Sequence, residues 1–331
     1  MSAMKTVGDV VSWWLSRIEN DNTRSESYRK SMASLMRKHV IPRAGKMLLK
    51  KVNKVSIDDS LIFPLHQTLK PRTIQKVLQG LRQAFRMAED LGRIKDNPLK
   101  GTTFKDFYKG KLRPKPAAFS RVDLAWLVAL LVENFNADPV KGMLPLMMLA
   151  HGTRIAESLK AEWVHISLDE RIWIIPESNN KSRRQHPLPL TPQIVALLGR
   201  YRAALPDPRL KATWVFSVRG GSRMANTSAH ALFRKVSGRQ WSSHDLRKLM
   251  RSSLTDIGID HHVAEILLNH TLGATAETYL TRDLMDRMRD AMERWHARLD
   301  ELGFAEAHGA KVALPALLSN RARPYSAGDS A

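Results

Sequence analysis

Apolar residues recur at helical spacing through most of the first hundred positions. In TVGDVVSWWLSRI, Val7, Val10, Val11, Trp14, Leu15 and Ile18 share one face, and Thr6 is placed to cap the helix. SESYRKSMASLMRKHVI repeats the pattern with Tyr28, Met32, Leu35, Met36 and His39 or Val40; Ser25 is the expected cap and Pro42 the expected stop. A third helix is predicted from Pro71 to the stop signal at Gly92, with Ile74, Val77, Leu78, Leu81, Phe85 and Met87 or Ala88 inward. Its opposite face carries Arg72, Gln75, Lys76, Gln79, Arg82, Gln83 and Arg86. The periodicity then lapses in a basic stretch punctuated by Gly101, Gly110, Pro114 and Pro116, which reads as a linker.

After Ser120, which is placed to cap RVDLAWLVALLVEN, the pattern becomes mixed. VKGMLPLMMLAHGTRIAESLKAEW reads as helix, turn, helix. WVHISL and RIWIIP are short β-branched runs parted by two acids, a hairpin signal, and a third strand is expected to end at Pro189. Further helices are predicted at 191–203, 226–237, 243–254, 259–269 and 275–300. The tail is rich in Ala, Gly, Ser and Pro and reads as mobile apart from VALPALL. The resulting fold class is multidomain and mainly α. A helical domain spans 1–100, a basic linker 101–119, an α+β domain with a small antiparallel sheet 120–301, and a tail 302–331.

Charge narrows the choice of partner. Lys and Arg number 53 against 32 acids, a net of +21. Residues 1–119 hold 25 of those cations and 10 acids, while the last 31 residues are neutral. Such an imbalance points to a polyanion, most often nucleic acid, gripped chiefly by the N-terminal third. Arg72, Lys76, Arg82 and Arg86, with Lys105, Lys109 and Lys111 of the linker, are the candidate DNA contacts; a merely solvated basic face is the alternative. There are no cysteines, which excludes disulfides, thiol nucleophiles and cysteine-bound zinc, and is compatible with the cytoplasm. No signal peptide is visible, and MLPLMMLA is too short to span a bilayer, so no membrane role is expected.

The second part carries the chemistry. Arg154 opens a short helix, Lys181 sits in the polar turn between two predicted strands, His244 and Arg247 are three apart on one helix, and His270 precedes Tyr279 by nine residues. Two arginines can hold a phosphodiester and the extra charge of a pentavalent transition state. A tyrosine hydroxyl is an oxygen nucleophile once a neighbour takes its proton, a lysine can protonate a leaving alkoxide, and histidines can move protons or bond non-bridging oxygens. Taken singly, each residue is more often a surface cation, a cap or a packing group. The adjacent His244 and Asp245 also admit a metal-dependent phosphohydrolase, with His230, His261, His262 and His270 as further ligands. Those two side chains point about 100° apart on a helix, however, and that reading leaves Arg154, Lys181 and Tyr279 idle.

The ordered set Arg154, Lys181, His244-x-x-Arg247, His270, Tyr279 resembles the active site of the tyrosine recombinases, the phage integrase family. GTRIAESLKAEWVHI resembles the box around its first arginine, with Glu157 three residues on; SHDLRKLMRSSLTDIGID resembles its His-x-x-Arg box; VAEILLNHTLGATAETYL resembles the box ending in the nucleophile. The resemblance covers residues ~6–300, since the basic helical part also looks like the family's core-site-binding domain. It departs where the usual Leu-Gly-His reads LNH, with Asn269 for Gly, and no β-rich module precedes Thr6, which leaves dependence on arm-type sites open.

The resemblance implies a clamp on duplex DNA core sites and a 3′-phosphotyrosyl intermediate formed by Tyr279. It makes Arg154 and Arg247 the phosphate grip, Lys181 the general acid, His244 the base, His270 a hydrogen-bond donor and Glu157 a structural support. It implies no cofactor and no ATP, four protomers on two sites, and accessory excision or bending factors as possible partners. The helix after Tyr279 and VALPALL are the expected protomer contacts. A non-catalytic regulator derived from a recombinase and a type IB topoisomerase-like enzyme are the alternatives; the complete residue set weighs against the first and the N-terminal domain against the second.

Overall fold

The computed structural model describes residues 4–112, 116, 118–120, 122–180, 184–218, 220–270 and 282–309. The chain divides into two compact units, Met1–Lys115 and Pro116–Ala331. Among the described residues no helix is long and apolar enough to cross a membrane.

The first unit is helical: α1 (Val7–Glu19), α2 (Glu26–Leu35), α3 (Ile41–Ala44), α4 (Lys54–Ile57), α5 (Phe63–His66), α6 (Pro71–Asp90) and α7 (Phe104–Phe107). Thr6 caps α1 as expected, accepting from the Asp9 amide at 3.1 Å while the Asp9 carboxylate accepts from the Thr6 amide at 2.9 Å. The six apolar residues read onto the inner face of α1 are all buried, as are Ile74, Val77, Leu78, Leu81 and Phe85 of α6. Gly80 lets α2 approach α6, because a Cβ there would lie 2.6 Å from the Met32 sulfur.

Pro42 does not end its helix. A wide π turn, Met36–Val40, precedes it, closed by the Ile41 amide on the Met36 carbonyl, and the chain then continues helically to Ala44. The wide turn makes room for the pyrrolidine ring, and Arg43 donates to the carbonyls of Lys38 and His39 at 3.4 Å. Asp58–Ile62 repeats the device ahead of Pro64. The stretch expected as linker also behaves differently over its first half. Phe104 is buried and stacks with His66 and Tyr108, so residues up to Lys115 belong to the first unit; aromatic anchors outweigh the basic composition.

The second unit holds α8 (Asp123–Ala137), α9 (Pro139–His151) and α10 (Ile155–Leu159), then strands β1 (Ile166–Ser167), β2 (Ile172–Ile175) and β3 (His186–Pro189), then α11 (Pro192–Ala204), α12 (Asn226–Val236), α13 (Ser243–Asp256), α14 (His261–Leu267), α15 (Arg282–Asp300) and α16 (Ala305–His308). The strands form one antiparallel sheet in the order β1-β2-β3, with Ile166 opposite Trp173 and Trp173 opposite Leu188. Trp173, Ile175 and Leu188 face the core, which α9, α11, α13 and α15 complete with Leu146, Leu197, Met250 and Trp295. The tail departs from expectation up to residue 309. Phe304, Ala305 and Ala307 are buried, and Arg200 of α11 donates to the carbonyls of Glu306 and Ala307 at 2.7 and 2.8 Å. VALPALL lies outside the described residues.

Candidate active site

The site is assembled around the end of α14. Leu267, Leu268 and Asn269 turn the chain out of the helix, and their three successive carbonyls each accept from a different distant residue. His186 of β3 meets the Leu267 oxygen at 3.3 Å, Arg247 of α13 donates to the Leu268 oxygen, and Arg154 donates to the Asn269 oxygen at 3.1 Å. Two of those donors are the arginines singled out in the sequence. His270 is the next residue.

Arg154 stands at the N-terminal border of α10 and keeps 31% of its side-chain surface exposed. Its guanidinium is paired with the Glu157 carboxylate at 2.6 Å, and the other Glu157 oxygen accepts the Arg154 amide at 2.8 Å. Glu157 is buried, so one carboxylate both caps α10 and aims the arginine. Gly152, between α9 and α10, adopts φ +60, a conformation that glycine takes without penalty. A Cβ there would sit 2.5 Å from Leu268 and 2.6 Å from the Met250 sulfur.

Arg247 is buried at 4% exposure, and its second terminal nitrogen donates to the Gly152 carbonyl at 2.6 Å. A guanidinium has five N–H donors, so the two carbonyls leave three for another acceptor. Burial first, and then the neighbouring Arg154 charge, holds Arg247 down at about 10, still cationic at neutral pH; Glu157 and Glu265 act the other way. A buried cation depressed by a neighbouring one forms a site that an added anion would stabilise.

His244 lies on the same helix as Arg247 but, unlike it, is exposed. Desolvation of its ring lowers the imidazole below its ordinary range, helped by Lys248 and both arginines and opposed by Asp245. Neutral imidazole is therefore its resting form near pH 7. Asp245 is buried and turned to the helix terminus, where one oxygen accepts the Ser242 amide at 3.0 Å and the Ser242 hydroxyl at 2.7 Å. It caps α13, and among the described residues no group of three or more potential metal ligands occurs.

His270 is half-exposed, with Nδ1 2.6 Å from Glu265. Arg154, Arg247 and His270 are thus gathered about one turn, and His244 lies within electrostatic reach of both arginines. Lys181 and Tyr279 lie outside the described residues. Between β2 and β3, Asn180 donates to the Arg184 carbonyl at 2.6 Å. Glu265, Arg251, His186 and Gly152 escaped the sequence reading. Only Glu265, five residues ahead of His270 and preceding an Asn at a helix end, left a local signal there.

In the first unit, Arg72, Lys76, Arg82 and Arg86 are exposed along α6, and Lys105, Lys109 and Lys111 are exposed beyond it. Gln75, Gln79 and Arg82 line a groove of about 1060 Å³ together with those three lysines. Arg86 also pairs with Asp90 at 3.7 Å.

Comparison with known proteins agrees with this geometry. The Phage integrase family profile matches residues 131–284. Tyrosine recombinase XerD of Pseudomonas aeruginosa is 27% identical over 297 residues, covering 86% of this chain and 94% of that protein. Prophage integrase IntA of Escherichia coli K12 is 20% identical over 285 residues, 86% of this chain and 67% of that one. Among solved structures, the Tn1549 transposon integrase in complex with circular intermediate DNA superposes with a TM-score of 0.63 at 15% identity, over 86% of this chain and 98% of that chain. A lambda integrase tetramer bound to a Holliday junction gives 0.60 at 15% identity, over 85% and 78%. The mainly helical fold with its small antiparallel sheet is shared with these integrases, and residues 131–284 match the phage integrase family.

Proposed function

We propose that this recombinase cuts and rejoins duplex DNA at core sites through a covalent bond to Tyr279, and that Arg154, Lys181, His244, Arg247, His270 and Tyr279 form its active site. The Tyr279 oxygen attacks the scissile phosphorus and its proton passes to neutral His244. The bond from phosphorus to the 5′ oxygen breaks, and Lys181 protonates that oxygen. Arg154 and Arg247 hold the non-bridging oxygens, with His270 as a further donor. The phosphotyrosyl bond conserves the phosphodiester energy, so a 5′-hydroxyl of a second strand can reverse the step without ATP, and the cations that a metal would supply come from the protein.

The observation that carries this reading is the convergence of Arg154 and Arg247, 93 positions apart, on the turn that ends in His270. Exchange would then join two sites through four protomers, in the integration or excision of a mobile element. That role is in keeping with the prophage, transposon and phage integrases this chain resembles. Accessory excision or bending factors fit the same reading. DNA would be gripped through the exposed cations of α6 and of the 105–111 segment.

Tyr279→Phe should retain DNA binding and lose the covalent adduct, while the wild-type protein forms the adduct in excess EDTA without ATP. Denaturing gels of protein with a labelled nicked duplex read both. Adduct in the Phe variant would overturn the nucleophile assignment, and inhibition by EDTA would overturn metal independence.

A further inference from the structure

α14 ends in a Schellman motif. The His270 amide donates to the Glu265 carbonyl at 2.9 Å and the Asn269 amide to the Ile266 carbonyl at 2.7 Å, with Asn269 at φ +52 in the left-handed region. This motif brings the residue three back in the helix against the residue just past its end, a pair that is commonly apolar. Here the pair is a carboxylate and an imidazole. Glu265 Oε2 lies 2.6 Å from His270 Nδ1, and Arg251 Nε of α13 donates to the other carboxylate oxygen at 2.5 Å. Arg251 is itself anchored on the Thr255 hydroxyl at 2.7 Å.

We propose that Glu265 is a positioning residue for His270, braced by Arg251, and that it fixes which ring nitrogen meets the scissile phosphate. The proposal rests on the reading of His270 as a phosphate donor. The Glu265 carboxyl lies below the usual carboxylate range: burial pulls it upward, and the bonds from Arg251 and His270 outweigh that pull. Ionised, it can only accept, so His270 carries a hydrogen on Nδ1 and Nε2 is left for the substrate. Donation to a non-bridging oxygen then requires a second hydrogen on Nε2, which is the imidazolium. The charged groups around the pair are Arg251 and Arg247 on α13, with Arg154 bonded to the adjoining Asn269 carbonyl. What the pair supplies is orientation, as a carboxylate does for a metal-bound or catalytic histidine.

The test is the rate of adduct formation on a nicked duplex, measured against pH for Glu265→Leu, Glu265→Gln, His270→Gln and the Glu265→Leu/His270→Gln double variant. Glu265→Leu should slow adduct formation by roughly 10- to 100-fold at unchanged DNA affinity. Glu265→Gln keeps an acceptor for Nδ1–H and should recover most of the rate that Glu265→Leu loses. The double variant should be no slower than His270→Gln alone. A defective His270→Gln beside a Glu265→Leu of wild-type rate and pH profile would overturn the positioning role, as would losses that multiply in the double variant. A His270→Gln of wild-type rate would instead overturn the reading of His270 itself. Should Glu265→Leu fail to fold, Glu265→Ala in the same single- and double-variant comparison decides.

Discussion

At the scale of single residues, the site depends on groups whose neighbours set their state. His244 shows this best. The proposed base must be neutral to take the tyrosine proton, and desolvation, Lys248 and the two arginines all favour the neutral ring. Because its pKa is lowered, activity lost through protonation of His244 should disappear only below the pH of an ordinary imidazole, ~6.5. Lys248→Gln removes one of the causes, raises the imidazole and should move the acid limb of the rate profile to higher pH. Desolvation, the largest cause, remains in that variant, so the limb should stay on the acid side of ordinary imidazole. A limb that does not move in Lys248→Gln would assign the acid titration to another group. The neighbouring Asp245 had made a metal pair thinkable from the sequence, and three-residue spacing had favoured Arg247 instead. The hydrogen bonds from Ser242 give Asp245 its place as a helix cap. Asn269, where the family resemblance leads one to expect Gly, is explained by its φ of +52, a region that Asn enters more easily than other side chains.

At the scale of elements, periodicity placed the helices well where one face is apolar, as in α1 and α6, since burial follows that face directly. It failed where backbone geometry and not side-chain pattern decides. The π turns before Pro42 and Pro64 leave no trace in apolar spacing, and the short α7 was hidden in a lysine-rich stretch. The long-range bonds from His186, Arg247 and Arg154 to the α14 turn were equally illegible, because no local pattern pairs residues 21 to 115 positions apart. Those bonds join the end of α9, β3, α13 and α14, and buried imidazoles join the same group to α15. His296 of α15 meets the Thr191 hydroxyl at 2.8 Å and the Ala150 carbonyl at 3.1 Å, an arrangement that a neutral ring with hydrogen on Nε2 satisfies. Burial depresses His151 and His186 to about 4 and lowers His296 as well. In the unfolded chain these rings titrate near ~6.5. Between those limits the unfolded state binds more protons, so stability is complete above the unfolded value and declines as pH falls toward 4. At pH 5 the loss should be about 2 kcal/mol for each of His151 and His186. Chemical denaturation at pH 7 and pH 5 measures it, and His186→Gln should flatten the dependence by one such step. Equal stability at the two pH values would mean that these rings are not held neutral by burial.

At the scale of the whole molecule, charge is the property most legible in composition and least visible in any one contact. The net of +21 is concentrated in residues 1–119, and the seven cations picked out there are all exposed. Exposure alone does not separate a phosphate grip from a solvated face, because both keep lysines in water. Placement offers a distinction: Lys105, Lys109 and Lys111 line one groove together with Gln75, Gln79 and Arg82. Cations clustered in one groove suit a run of phosphates, and the amides among them suit base edges or sugars. If these lysines neutralise phosphates, each releases condensed counterions on binding. Replacing all three by Gln should then reduce the slope of log affinity against log salt by roughly 3. The weakening should be the same on random duplex as on a core site, since phosphate contacts carry no sequence information. Binding titrations across salt concentrations on both duplexes measure the slopes. An unchanged slope would make the three lysines a solvated face. A slope reduced on the core site alone would mean that they act only once the specific complex has formed.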